Sequence, residues 1–169
     1  MSTRLKIATE DDLPALHAIL VMCGEHMART QGLTHWYPFL TFTTYAEVAA
    51  SAQPYAVYED GFLAGTFYFK TEPRPYYPVE YWTDPDARAF YFAALGVLPS
   101  FQGRGIGSWC MAQVERLAVE NGCKAIRFDA AANNTALMRF YDRLGYERRG
   151  VITFSNPAIG DTVAYERVL

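Results

Sequence analysis

The sequence predicts a single α/β domain of mixed α+β content, in which a β-hairpin precedes a parallel strand–helix–strand crossover. Three observations carry this. An Asp60-Gly61 step separates two β-rich runs, a strong hairpin signal. Residues 89–98 form a nearly continuous apolar run, as expected for a strand buried on both faces. A glycine-rich turn, a helical apolar stripe and a second strand-like run follow, an order that implies a right-handed parallel crossover.

The elements follow in chain order. Residues 5–8 alternate like a short strand, and Asp11 or Asp12 then caps a helix running to about Cys23, with Pro14 in its first turn. Residues 30–42 read as an aromatic loop and residues 45–51 as a helix. Residues 54–58 and 62–70 are the hairpin strands, and the proline- and aromatic-rich residues 71–88 form an irregular excursion. After the glycine turn, Ile106, Cys110, Val114, Leu117 and Ala118 mark the buried face of a helix reaching about Glu120, which Asn121-Gly122 stops. Residues 124–130 read as a strand. Asn133-Asn134 caps a second helix ending near Leu144-Gly145, and residues 146–154 and 162–168 are the last strands.

Composition narrows the function classes. The chain has 169 residues, is 51% hydrophobic and 20% charged, and carries a net charge of −3. That excludes disorder and collagen-like repetition, and a domain of this length buries roughly 70% of its unfolded surface. A slight acidic excess argues against a nucleic-acid partner, which would need Lys and Arg to neutralise phosphates. Cys23, Cys110 and Cys123 show no metal or redox spacing, and we read them as reduced, buried thiols. No signal-peptide core or membrane span is legible, so the expected setting is cytoplasmic with no membrane partner. Charge is nevertheless uneven. Residues 1–99 hold 6 basic and 11 acidic side chains, whereas residues 100–150 hold 8 and 5. This is either a solvated-surface accident or a basic segment facing an anion and an acidic half facing a cation.

The densest chemistry lies in Gln102-Gly103-Arg104-Gly105-Ile106-Gly107. Alternating glycines let backbone N–H groups crowd an anion, and the helix after them adds its unpaired donors and positive dipole end. A phosphate or pyrophosphate is the matching ligand; a glycine-rich turn without a ligand is the alternative. No Gly-Lys-Ser/Thr ending follows, which excludes a P-loop. The spacing is G-x-G-x-G rather than G-x-G-x-x-G, which weakens a dinucleotide reading despite Asp129 on the next strand.

Residues 97–146 resemble the coenzyme A-binding core of the GNAT superfamily of acyl-CoA-dependent N-acyltransferases. Gln102, Gly105 and Gly107 match its pyrophosphate motif after the strand Leu95-Gly96-Val97-Leu98-Pro99, while Asn134, Tyr141, Gly145 and Tyr146 match its second signature in the same order. The helix-then-hairpin order of the first half is also similar. The resemblance implies a single GNAT-like domain over residues 1–169, with a coenzyme core at about 89–146. It further implies a twisted, mixed, mostly antiparallel sheet with helices on both faces. The implied activity is acetyl transfer from acetyl-CoA to a primary amine, releasing coenzyme A. In that arrangement backbone groups of Gln102, Gly103, Arg104, Gly105, Ile106 and Gly107, with Ser108 beside them, hold the pyrophosphate. Leu95, Gly96 and Val97 pair with the pantetheine arm, Asn134 touches the coenzyme, and Tyr141 lies near its sulfur.

An alkylammonium of pKa about 10.4 lies about 3.4 units above pH 7, so exposing its lone pair costs about 4.6 kcal/mol. Desolvation or a general base lowers that cost, and a phenol such as Tyr141 can protonate the departing thiolate. Residues 89–98 contain no Asp, Glu or His, where many family members place an acid. Glu25, His26, His35, Glu80, Asp84 and Asp86 are the other base candidates, each also explicable as a solvated or capping residue. Trp36 and Trp82, with Glu80 and Asp84, are the candidate acceptor site, holding an amine by ring faces and carboxylates; core or homodimer packing is the other explanation for these aromatics. No metal site is expected. The bare strand leaves a second class of function open, a non-catalytic acyl-CoA-binding sensor or interaction module.

Overall fold

The computed structural model describes residues 2–38, 40–155 and 160–169. Its strands are β1 (Thr3–Ile7), β2 (Gln53–Glu59), β3 (Phe62–Lys70), β4 (Ala89–Val97), β5 (Ala125–Ala131), β6 (Glu147–Ile152) and β7 (Thr162–Val168). Its α-helices are α1 (Leu13–Gln31), α2 (Phe42–Ala49), α3 (Ile106–Glu120) and α4 (Thr135–Arg143). The strands hydrogen-bond in the order β1-β2-β3-β4-β5-β7-β6. The β4–β5 pair is parallel and spans the α3 crossover, whereas β1–β2, β2–β3, β5–β7 and β6–β7 are antiparallel. The sheet is therefore mixed and mostly antiparallel, as the resemblance implies.

Contacts divide the chain into two compact units. One comprises the chain up to Lys70 with Ala93–Met111, and the other Thr71–Phe92 with Ala112–Leu169. In the first unit Asp60 (φ 49) and Gly61 (φ 88) close the β2–β3 hairpin, the left-handed pair that a two-residue turn requires. The Asp12 carboxylate accepts the Thr9 N–H at 2.8 Å and the Lys6 ammonium at 3.0 Å where α1 begins. That helix ends at Gly32 (φ 68), well past the expected stop at Cys23. Its apolar stripe does stop at Cys23 and Gly24; the last turns are half-buried or exposed, held by helical bonding rather than by burial. Leu16, Ile19, Leu20 and Cys23 pack against Tyr45, Ala56 and Tyr68. Two glycines let β4 through: a Cβ on Gly65 would stand 2.7 Å from the Gly96 carbonyl, and one on Gly96 would stand 2.9 Å from Leu20 Cδ2. Burial on both faces, expected along residues 89–98, holds for Ala89, Phe90, Tyr91 and Phe92, while the next three residues are only half-buried.

In the second unit Ala89, Phe90 and Tyr91 pair with Ala125, Ile126 and Arg127. The Phe128 ring lies 4.3 Å from Phe92, 4.5 Å from Tyr141 and 5.2 Å from Tyr165, an aromatic core on one face of β5. The 71–88 excursion is irregular apart from a 3-10 turn at Val79–Tyr81.

Candidate functional site

In the first unit, β4 ends in the glycine loop. Ala94 sits at φ 54 inside the strand, a local left-handed residue that interrupts a regular ladder. The Val97 carbonyl is doubly engaged, accepting the Cys23 thiol at 3.3 Å and the Gln102 side-chain amide at 2.9 Å. Burial pushes the Cys23 thiol up to about 12, so it stays protonated and remains a donor. The Gln102 N–H reaches the Pro99 carbonyl at 3.3 Å, so this residue braces the turn with both its groups. Gly103 (φ 76) and Gly105 (φ 82) follow, and a Cβ at either would meet nothing within 4 Å; their requirement is the left-handed backbone itself. The first helical bond of α3 runs from the Trp109 N–H to the Gly105 carbonyl at 3.0 Å. Helix geometry then leaves the N–H groups of Gly105, Ile106, Gly107 and Ser108 without a helical acceptor. Together with the helix dipole they form an anion-binding end. Arg104 turns its guanidinium onto the Ser100 carbonyl at 2.9 Å and over the Phe101 ring at 5.0 Å.

In the second unit, Asn134 is buried and caps α4. Its Oδ1 accepts the Leu137 N–H at 3.0 Å, so the side-chain NH2 is the part left for a ligand. Tyr141, on α4, is also buried, with Phe128, Phe140 and Tyr165 rings within 5.5 Å.

The residues expected at the acceptor site all have neighbours within the protein. Trp36 belongs to the packing of the first unit: its Cβ lies 3.1 Å from where a Gly24 Cβ would stand. Trp82 does hold a cation by its ring face, but that cation is the protein's own Arg127, 5.0 Å above the ring. Arg127 also bonds Glu166 at 3.0 Å, the Tyr91 hydroxyl at 3.1 Å and the Asp84 carbonyl, and both ion-pair partners are fully buried. Glu166 accepts the Thr83 hydroxyl at 2.6 Å and the Thr83 N–H at 3.0 Å. Thus Asp84 acts through its main chain, while its exposed carboxylate takes the Asp86 N–H at 3.2 Å; Glu80 is exposed. Neither Arg127 nor Glu166 was singled out from sequence. Two opposite charges 39 residues apart carry no local signal, because only the β5–β7 register (Arg127↔Glu166) makes them neighbours.

Among the other expected bases, Glu25 is exposed and His26 half-buried. His35 has a buried Nδ1 with no hydrogen-bond partner among the described residues, and burial lowers its pKa, which keeps the ring neutral. Sequence reasoning also missed the contact between Tyr77 and Asp129, whose hydroxyl–carboxylate distance is 2.6 Å. A cleft of about 250 Å³ in the second unit is lined by Leu144, Gly145, Glu147, Glu166, Arg167 and Val168. It contains none of the residues expected at the site, so the chemistry of the loop, not the depth of a cavity, locates the candidate site. All three cysteines are free and buried, and no helix is long and apolar enough to cross a membrane among the described residues.

The glycine loop, its strand, and the capped helix after β5 can now be compared with known proteins. The model of the acetyltransferase (GNAT) family matches residues 13–146. The chain belongs to the GNAT acetyltransferase family. The match extends through α1 and the hairpin, beyond the two motifs that carried the resemblance in sequence. Among solved structures, an acetyltransferase of the GNAT family from Streptococcus agalactiae 2603 is similar with a TM-score of 0.76 at 19% identity, covering 99% of this chain and 95% of that one. An N-acetyltransferase from Staphylococcus aureus Mu50 is similar with a TM-score of 0.71 at 19% identity, covering 99% of both chains. The aminoglycoside acetyltransferase AAC(6')-Ib, in complex with coenzyme A and kanamycin, is similar with a TM-score of 0.72 at 25% identity, covering 99% of this chain and 95% of that one.

Proposed function

We propose that this GNAT protein is an N-acetyltransferase that moves the acetyl group of acetyl-CoA to a primary amine by direct attack within a ternary complex. The observation that carries the reading is the loop at the start of α3. Two left-handed glycines lead into a helix whose first N–H groups have no helical acceptor, on residues that resemble the family's pyrophosphate motif and lie within the matched stretch 13–146. The N–H groups of Gly105, Ile106, Gly107 and Ser108 are the donors we assign to the pyrophosphate. Gly103 and Arg104 shape the turn, and Gln102 braces it from behind. Leu95, Gly96 and Val97 are assigned to the pantetheine arm, and the Val97 carbonyl, which accepts the Cys23 thiol and the Gln102 amide, anchors the end of that strand.

Acetyl-CoA supplies the activated acyl group. The amine, once deprotonated, attacks the thioester carbonyl carbon, the C–S bond breaks, and the thiolate leaves. Tyr141 is assigned as the acid that protonates that sulfur, and the Asn134 side-chain amide as a further contact to the coenzyme. A relative bound to coenzyme A and kanamycin supports both the coenzyme and a cationic acceptor.

The test is thiol release from acetyl-CoA across a library of amines, alongside calorimetric titration of acetyl-CoA. Turnover on at least one amine class is expected. Acetyl-CoA binding without turnover on any class would replace the transferase with a coenzyme-binding module, and absence of binding would remove both.

A further inference from the structure

The oxygen of Val97, the last residue of β4, is where three elements of the first unit meet. The next residue, Leu98, donates its N–H to the Ala64 carbonyl of β3 at 2.8 Å. Successive residues of an extended strand turn their main-chain N–H and C=O to opposite edges, so Val97 turns its own pair away from β3. On that other edge β5 is registered with β4 only from Ala89 to Tyr91. The Val97 oxygen is met by side chains instead: the Cys23 thiol of α1 at 3.3 Å and the Gln102 amide of the glycine loop at 2.9 Å.

The thiol reaches this oxygen because β4 has no side chain in the way. A Cβ on Gly96 would stand 2.9 Å from Leu20 Cδ2 and 3.5 Å from Cys23 Sγ, so α1 seats directly on the backbone of the strand. Cys23 is buried there with Leu16, Ile19 and Leu20, and it stays protonated. A carbonyl oxygen has two lone pairs, and here each is claimed by a different element. One donor would leave the peptide free to swing about a single bond; two donors fix it.

Chemistry decides what such a strand end offers. The arm of coenzyme A carries amide groups, and an amide-bearing chain adds to a sheet edge through main-chain hydrogen bonds that weaken steeply when misaligned. With its oxygen occupied, Val97 has its N–H to give, a donor for an amide carbonyl of the arm.

We propose that Cys23 is a positioning residue for the pantetheine arm: its bond to the Val97 carbonyl holds the end of β4 in the orientation that the arm requires. This rests on the coenzyme reading above. The pyrophosphate donors lie at the start of α3, and the Gln102 brace to Val97 survives loss of the thiol, so the arm alone depends on Cys23.

The experiment is calorimetry with coenzyme A and with adenosine 3′-phosphate 5′-diphosphate, which carries the pyrophosphate but not the arm. Cys23→Val fills the volume of the side chain without a donor, and Cys23→Ser restores one. For Cys23→Val the Kd of coenzyme A should rise about fivefold, the worth of one hydrogen bond, while the Kd of the armless nucleotide stays within about twofold of wild type. Cys23→Ser should return the coenzyme A value to within about twofold of wild type. The acetyl-CoA KM should follow the Kd, with kcat little changed. Cys23→Ala, which also lacks the donor, takes the place of Cys23→Val should that variant not fold. Equal weakening of both ligands, or Ser and Val variants that behave alike, overturns the proposal and leaves the coenzyme reading intact. Failure of the wild type to bind coenzyme A overturns that reading, and the proposal with it.

Discussion

The turn from Gln102 to Ser108 leaves backbone donors without a helical acceptor, whereas Thr83 and the Asp84 carbonyl, within residues 71–88, turn inward onto buried charges. The first is shaped by glycines at φ 76 and 82 and braced from behind by Gln102. The second is tied down by Arg127 and Glu166 through the Asp84 carbonyl and the Thr83 hydroxyl and N–H. Irregular backbone thus keeps donors available where a helix begins, and becomes structure where a buried charge collects them.

Four substitutions and one pH experiment sharpen that contrast, beginning with the largest effect. Glu166→Ala strands Arg127 as a buried, uncompensated charge and should destabilise by about 3–5 kcal/mol, lowering Tm by about 10 °C in a thermal melt. A melt within about 2 °C of wild type would show that the excursion does not depend on this pair. Tyr141→Phe should lower kcat by about 100-fold with the acetyl-CoA KM nearly unchanged, as expected for loss of a general acid. Unchanged turnover would leave Tyr141 a packing residue of the Phe128 cluster.

Gly105→Val forces a β-branched side chain into the left-handed region, at about 1–2 kcal/mol of strain. Its space is open, so the fold should survive, while the Kd for acetyl-CoA should rise about tenfold in calorimetry. An unaffected Kd would separate the loop from the coenzyme. The pH experiment reads the excursion again. Burial pushes the Glu166 carboxyl up, but the Thr83 bonds and Arg127 outweigh this and hold it below the usual 4.5. A depressed folded pKa means the stabilisation is complete above the unfolded value and is lost as pH falls through the folded one. The Tm gap between wild type and Glu166→Gln should therefore be constant from about pH 5 to 7 and shrink below about pH 4. Asp142→Asn, which removes an exposed partner of Arg148, should change Tm by no more than about a degree.

The Asp60-Gly61 hairpin, the apolar face of α3, the Asn134 cap and the glycine loop were all legible in sequence, because each is specified by residues adjacent in the chain or one helical turn apart. Helix α1 ran longer than expected because its last turns need no buried face. Trp82 shows how far local chemistry reaches: its ring face carries the Arg127 guanidinium of β5, a neighbour that only strand and loop placement brings to it.

By itself, then, the sequence determined the order of elements, the crossover and the family, through periodicity, turn chemistry and a contiguous motif. Tertiary structure alone decided which charges are matched internally. The β5–β7 register places Glu166 against Arg127, and the path of the excursion brings the Tyr77 hydroxyl to Asp129. Such pairings depend on strand register and loop course across tens of residues, and no local pattern encodes either.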